Sequence, residues 1–158
     1  MIDFMVLGLP RSGTAWLANL FTTSKSICKH ESLWTGSLDE LDNEKHSVSF
    51  GIAETSGFSI VDQINQHSAK KLIVRRDLSE INDSLMKLGI PKMSQDHMDK
   101  LLGISGYHID FLDIFDYGRM SKAYEFLLGS KLEQYRHEFL CDMNVQNEKL
   151  ITEIQRIF

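Results

Sequence analysis

The chain has 158 residues, of which 42% are hydrophobic and 25% charged, and its formal net charge is −5. A chain of this length forms one domain that buries roughly 68–70% of its unfolded surface, so a single domain over residues 1–158 is expected. The acidic balance excludes broad binding to nucleic acid or to an anionic membrane surface. No apolar run reaches the roughly 20 residues that span a bilayer, and two cysteines, Cys28 and Cys141, cannot build a disulfide framework. The reading is a cytoplasmic protein with free thiols and no membrane partner.

The apolar run Ile2–Leu7 reads as a short buried parallel strand. Directly after it, Gly8-Leu-Pro-Arg-Ser-Gly-Thr-Ala-Trp-Leu17 reads as a turn that opens a helix over Thr14–Thr22. Glycines permit positive φ, the turn presents successive backbone N–H groups to one point, and the helix start adds the positive end of its dipole. Phosphate binding follows. The spacing of Gly8 and Gly13 is that of a Walker loop, but Thr14-Ala15 stands where a nucleotide triphosphatase needs Lys followed by Ser or Thr.

A weaker second strand lies near Ser26–Lys29 and runs into His30-Glu31. The polar stretch Thr35–Ser47 reads as a surface segment, helical in part, or as a lid. A third strand, Val48–Ala53, leads into Glu54-Thr55-Ser56, which suits either a helix N-cap or an acidic turn near an acceptor. One helix is expected over Gly57–Gln66. The strand Leu72–Val74 ends in Arg75-Arg76-Asp77, and the helix Leu78–Leu88 after it stops at Gly89 with Pro91 beyond. The remainder reads as helical, with a last short strand at Tyr107–Phe111 before helices Tyr117–Leu128 and Lys131–Asp142.

This alternation implies right-handed crossovers and a parallel sheet with helices on both faces. Ligands then gather at the carboxyl ends of the strands. Gly8–Thr14, His30–Glu31, Glu54–Ser56 and Arg75–Asp77 all fall there.

Pro10-Arg11-Ser12-Gly13-Thr14-Ala15-Trp16-Leu17 resembles the first cofactor loop of the sulfotransferases that use 3′-phosphoadenosine 5′-phosphosulfate (PAPS), with Ala15 in place of the usual second Thr or Ser. A second match supports it. Lys71–Leu85 resembles that family's second cofactor segment, a strand ending in Arg with a Ser on the next helix eight residues later, here Arg76 and Ser84. Leu78 replaces the usual Pro, which presets φ and adds no chemistry. A third segment, Ser26–Leu33, resembles the second strand of small bacterial and phage-type members, with Glu31 at their acidic position, and Gly129…Arg136…Leu140…Asn144-Val145-Gln146 resembles their carboxyl-terminal part.

The resemblance implies an α/β, P-loop NTPase-like three-layer fold with a central parallel sheet and a helical carboxyl-terminal part. It implies that Pro10, Arg11, Ser12, Gly13, Thr14, Ala15 and Trp16 bind the 5′ side of PAPS, with Arg11 on the bridge between phosphate and sulfate and Trp16 against the adenine. Arg76 and Ser84 would hold the 3′-phosphate, and Glu31 would be the base toward a small-molecule or saccharide-like acceptor. No metal is expected, since His46, His67, His97, His108 and His137 lack ligand spacing. Two alternatives stay open: a non-catalytic protein that binds PAPS or another 3′-phosphonucleotide, and a divergent P-loop nucleotide kinase.

Overall fold

The computed structural model describes residues 1–143. Asn144-Val145-Gln146 lies outside them. Strands β1 (Phe4–Gly8), β2 (Ser26–His30), β3 (Ser49–Glu54), β4 (Lys70–Arg75) and β5 (Tyr107–Asp110) form one five-stranded sheet in the order β2-β3-β1-β4-β5. Every pairing is parallel. The helices are α1 (Thr14–Phe21), α2 (Leu38–Asp42), α3 (Val61–Gln66), α4 (Leu78–Lys87), α5 (Gln95–Leu102), α6 (Tyr117–Leu128) and α7 (Gln134–Asp142). Among the described residues, no helix is long and apolar enough to cross a membrane.

All five residues of β1 are buried, as a central parallel strand covered on both faces must be. Their side chains alternate between two cores. Phe4 and Val6 join the core made with α1, α6 and α7, while Met5 and Leu7 join the one made with α2, α3, α4 and α5. The result is a three-layer α/β arrangement. Phe4 lies against the β3 backbone, where a Cβ on Gly51 would sit 2.2 Å from the Phe4 ring, so glycine is required for the close approach.

The α1 helix is fixed from its far end by α7. The Arg136 guanidinium donates to the carbonyls of Leu20 (3.2 Å), Asn19 (2.7 Å) and Thr22, in the last turn and cap of α1. Trp16 Nε1 donates to Leu140 O at 2.8 Å. These contacts hold the helix that starts at the Gly8–Gly13 loop.

The segment expected as one helix over Gly57–Gln66 is broken. A 3-10 turn at Gly57–Ser59 comes first, and Ile60, with φ −130° and ψ 37°, separates it from α3. Gly57 packs within 3.1 Å of Leu7 Cδ2 and 3.0 Å of Ile64 Cδ1, measured from where its Cβ would stand, so the chain must turn tightly off β3. The Thr35–Ser47 stretch is a surface segment that includes α2, whose Ser37 and Glu40 form a capping box. It is fastened at the amino-terminal end of the sheet, where Asp42 Oδ1 accepts from Ile2 N at 2.6 Å.

Candidate functional site

The β1–α1 loop begins with a turn in which Ser12 N donates to Leu9 O at 3.2 Å. Pro10 takes the second position, which suits its fixed φ, and Arg11 takes the third with φ 70°. That position in a tight turn normally favours glycine or asparagine. Gly13, with φ 82°, then caps α1 without any side-chain hydrogen bond. The first N–H groups of α1 are left open by helix geometry, beside the positive end of the dipole. Ser12 Oγ, in the same loop, is fully buried and has no hydrogen-bond partner among the described residues. A buried hydroxyl and a run of open N–H groups at one helix start form a cradle for an anion.

Gly8 stands opposite Val74 in the register of β1 and β4, which brings Arg75 and Arg76 to the loop. The two arginines separate by direction. Arg75 is exposed and turns to the edge, donating to Asp110 Oδ1 at 2.6 Å. Arg76 turns inward: its Nη1 donates to Arg11 O, its Nε to Glu80 Oε2 at 3.1 Å, and its guanidinium lies 4.0 Å from the centre of the Phe111 ring. Arg11 Nε donates to Ser84 Oγ at 2.9 Å. Arg11, Arg76 and Ser84 are thus brought together, with Arg11 bonded to each of the other two. The segment Phe111–Phe115, a 3-10 turn after β5, closes over Gly13, where a Cβ would lie 2.9 Å from Ile114 Cδ1 and 3.3 Å from the Phe111 ring.

On the other side of the loop, Thr14 Oγ1 and His30 Nε2 are hydrogen-bonded at 3.1 Å. His30 Nε2 is 3.5 Å from Glu31 Oε1, which also accepts from Thr55 Oγ1 at 2.7 Å. Burial holds the His30 imidazolium below its usual range, opposed by the charge of Glu31. Glu31 has φ 58°. Glu54, opposite Leu7 at the end of β3, is fully buried, and its Oε1 accepts from Leu33 N at 3.1 Å. Burial first, with the charge of Glu31 added, pushes the Glu54 carboxyl up to about 7 against backbone N–H donors that favour its ionised form. The second oxygens of Glu31 and Glu54 are buried, with no hydrogen-bond partner within normal geometry among the described residues.

Arg11 and Glu31 are the two non-glycine residues with positive φ among the described residues. Backbone strain of this kind, on the order of 1–3 kcal/mol per residue, persists where the surroundings over-determine it, and it concentrates at functional sites. Both positions were marked by sequence.

Two expectations need correction. Trp16 is 6% exposed, its N–H is taken by Leu140, and its ring meets His137 at 5.7 Å and Phe115 at 6.3 Å, so it is a core residue and presents no open face to an adenine. Ser84, expected beside Arg76 at a 3′-phosphate, accepts from Arg11 Nε. The turn after β3 is not capped by Thr55 or Ser56: Thr55 turns to Glu31, and Ser56 makes no capping bond. Glu54 is the residue whose importance the sequence left undecided, since its burial follows from the register of β3 and from no local pattern.

One surface depression, about 650 Å³, is lined by Phe58–Gln63 with His97 and Lys100 and contains none of the loop residues. A second, about 480 Å³, is lined by Arg76, Asp77, Leu78, Met98, Phe111 and Leu112 and opens beside the Arg76 guanidinium. The second adjoins the charged groups described above and is the one that chemistry singles out. No protein-family model matches the chain, and no curated protein matches it.

Proposed function

We propose that the chain is a P-loop-type sulfotransferase that moves a sulfuryl group from PAPS to a hydroxyl or amine of a small-molecule or saccharide-like acceptor. The observation that carries this reading is the meeting of Arg11, Arg76 and Ser84, three residues from two segments far apart in sequence, beside a loop with open N–H groups. A ligand with phosphates at both its 3′ and 5′ positions suits such a divided set of donors. The loop amides and Ser12 take the 5′ side, and Arg76 with Ser84 takes the 3′-phosphate. The absence of Lys at the end of the loop speaks against a kinase. Cys28 and Cys141 as free thiols agree with work in a reducing, cytoplasmic compartment.

In the reaction, the acceptor oxygen or nitrogen attacks sulfur, the bond from sulfur to the bridging oxygen breaks, and adenosine 3′,5′-bisphosphate leaves. Donors aimed at the charge growing on that oxygen contribute most, roughly 3–4 kcal/mol each when removed. Arg11 and the loop amides have this task, and Glu31 takes the acceptor's proton.

Calorimetry with adenosine 3′,5′-bisphosphate, adenosine 5′-monophosphate and ATP with magnesium tests the binding half. The bisphosphate binds without magnesium and the monophosphate binds far more weakly. Arg76→Ala weakens the bisphosphate about ten- to a hundredfold, the equivalent of one charge-assisted hydrogen bond. Equal affinity for bisphosphate and monophosphate refutes the reading. Acceptor-dependent loss of PAPS then separates an enzyme from a protein that only captures the nucleotide.

A further inference from the structure

Three observations meet at the start of α1. Its first N–H groups are open, and Gly13 caps it without a side-chain hydrogen bond. Ser12 Oγ is fully buried with no hydrogen-bond partner among the described residues, and the Ser12 and Thr14 side chains turn to the same side of the loop. A Cβ on Gly8 would lie 3.1 Å from Ser12 Cβ and 3.3 Å from Thr14 Cγ2. Thr14, the first residue of the helix, is itself held from β2, where His30 Nε2 stands 3.1 Å from its Oγ1. One imidazole therefore touches the wall of the cradle.

The same Nε2 lies 3.5 Å from Glu31 Oε1, and 33% of the His30 side chain is exposed, so solvent can supply or remove its proton. The protein's own groups are divided over that proton. Partial burial disfavours the imidazolium and so does the positive end of the α1 dipole, while the charge of Glu31 favours it. A dianion in the loop adds a second negative charge beside the ring and tips the balance. A protonated ring donates from Nε2, so Thr14 Oγ1 accepts and keeps its own hydrogen for the anion. The proton also offsets Glu31, whose charge otherwise repels what the loop binds.

We propose that the β1–α1 loop binds its anion together with one proton, which is taken from solvent and carried by His30. The proposal rests on the loop as an anion site, the binding half of the reading above, and not on the transfer reaction. Affinity falls as pH rises, because the ring then loses the proton that the bound anion favours. The other elements at this end of the sheet bring Arg11, Arg75, Arg76 and Glu54. The arginines stay charged throughout and add no pH dependence, and burial keeps the neighbouring Cys28 thiol protonated. Glu54, pushed up to about 7, shares the pH window and is the rival source of any effect.

Inorganic sulfate, which exchanges no proton with water in this range, is the probe. Amide NMR of the whole protein follows Gly13 and Thr14 as sodium sulfate is added at pH 5.5 and at pH 8, with sodium chloride holding the ionic strength constant. The dissociation constant rises at least about fivefold from the lower pH to the higher. In His30→Gln the rise is below about twofold, whereas Glu54→Gln keeps it. A wild-type constant that does not change with pH, a rise that survives in His30→Gln or is lost in Glu54→Gln, or sulfate that moves neither amide at pH 5.5 overturns the proposal. If either variant fails to fold, ring-carbon NMR of the wild-type protein serves: saturation with sulfate moves the His30 inflection to higher pH, and an inflection that stays in place overturns the coupling. Proton-coupled sulfate binding in a protein with equal affinity for bisphosphate and monophosphate upholds the role of His30 while refuting the sulfotransferase reading.

Discussion

Arg136→Met tests the claim that α7 holds α1, and with it the β1–α1 loop, in place. The guanidinium donates to three carbonyls at the end of α1, at 3.2 Å for Leu20 and 2.7 Å for Asn19, with Thr22 as the third. Methionine keeps most of the apolar stem and removes every donor. A hydrogen bond to a charged group contributes about 1.5–3 kcal/mol. The three share one side chain and are not additive, and burial of the guanidinium, which holds its pKa below the usual range, subtracts from them. The net expectation is a loss of about 2–3 kcal/mol, a shift of the urea midpoint of about 1 M at the slopes usual for small proteins. Intrinsic fluorescence reads it, because Trp16 is buried at 6% exposure beside α7 while Trp34, at 74%, is already in water. Arg136→Lys falls between wild type and Met, since an ammonium cannot fork to three carbonyls held in this arrangement. A loss below about 0.5 kcal/mol in Arg136→Met, typical of a plain surface substitution, refutes the reasoning.

Glu54 makes stability depend on pH in the direction opposite to an ordinary paired carboxylate. Its carboxyl is pushed from 4.5 to about 7 in the folded chain, so the native state keeps a proton that the unfolded chain releases in that window, and stability falls as pH rises through it. The whole effect is roughly 3 kcal/mol, and Glu54→Gln removes it; urea unfolding at pH 5 and pH 8 checks this, and an equal difference between variant and wild type at both pH values contradicts it. Gly13→Ala, which forces alanine to φ 82° and places a methyl 2.9 Å from Ile114 Cδ1, destabilises by about 1–2 kcal/mol and weakens the bisphosphate at least about tenfold. Gly89→Ala, at φ 69° with open space around it, carries the backbone strain alone, and calorimetry that finds the same loss of affinity in both variants separates Gly13 from the site.

Local pattern made the scaffold readable. The apolar runs gave all five strands to within two residues at each end, and Tyr117–Leu128 is α6 with the same bounds. Positions where a single residue type signals its task were also readable: Gly13 for a left-handed helix cap and Gly89 as a stop. What stayed hidden is set by register and by contacts across the sheet. Nothing near Trp16 tells that Leu140, 124 residues on, takes its N–H and that Phe115 and His137 enclose its ring. Nor does the neighbourhood of Glu54 reveal that its side chain is fully buried, since Glu54 follows a strand whose alternation is visible while the turn that covers it, Ser32–Trp34, comes from another segment. The break at Ile60 comes from the same source, because the space available to Gly57 is limited by Leu7.

The placement of β1 also governs how the chain becomes a protein. It precedes both of its sheet neighbours, β3 beginning at Ser49 and β4 at Lys70, and all five of its residues are apolar or glycine and buried in the finished molecule. A parallel strand cannot pair with the segment that immediately follows it; it must wait for a crossover to bring a partner back. During synthesis, Phe4–Gly8 therefore emerges from the ribosome as a sticky edge that stays unprotected for at least forty further residues, and is enclosed on both sides only after Arg75 has been made. Such long-range pairing folds slowly and leaves apolar surface open to association in the meantime. A cell making this chain has its greatest need of a chaperone over that interval, and the β1–α1 loop, the first part of the site to be translated, is among the last to acquire its shape.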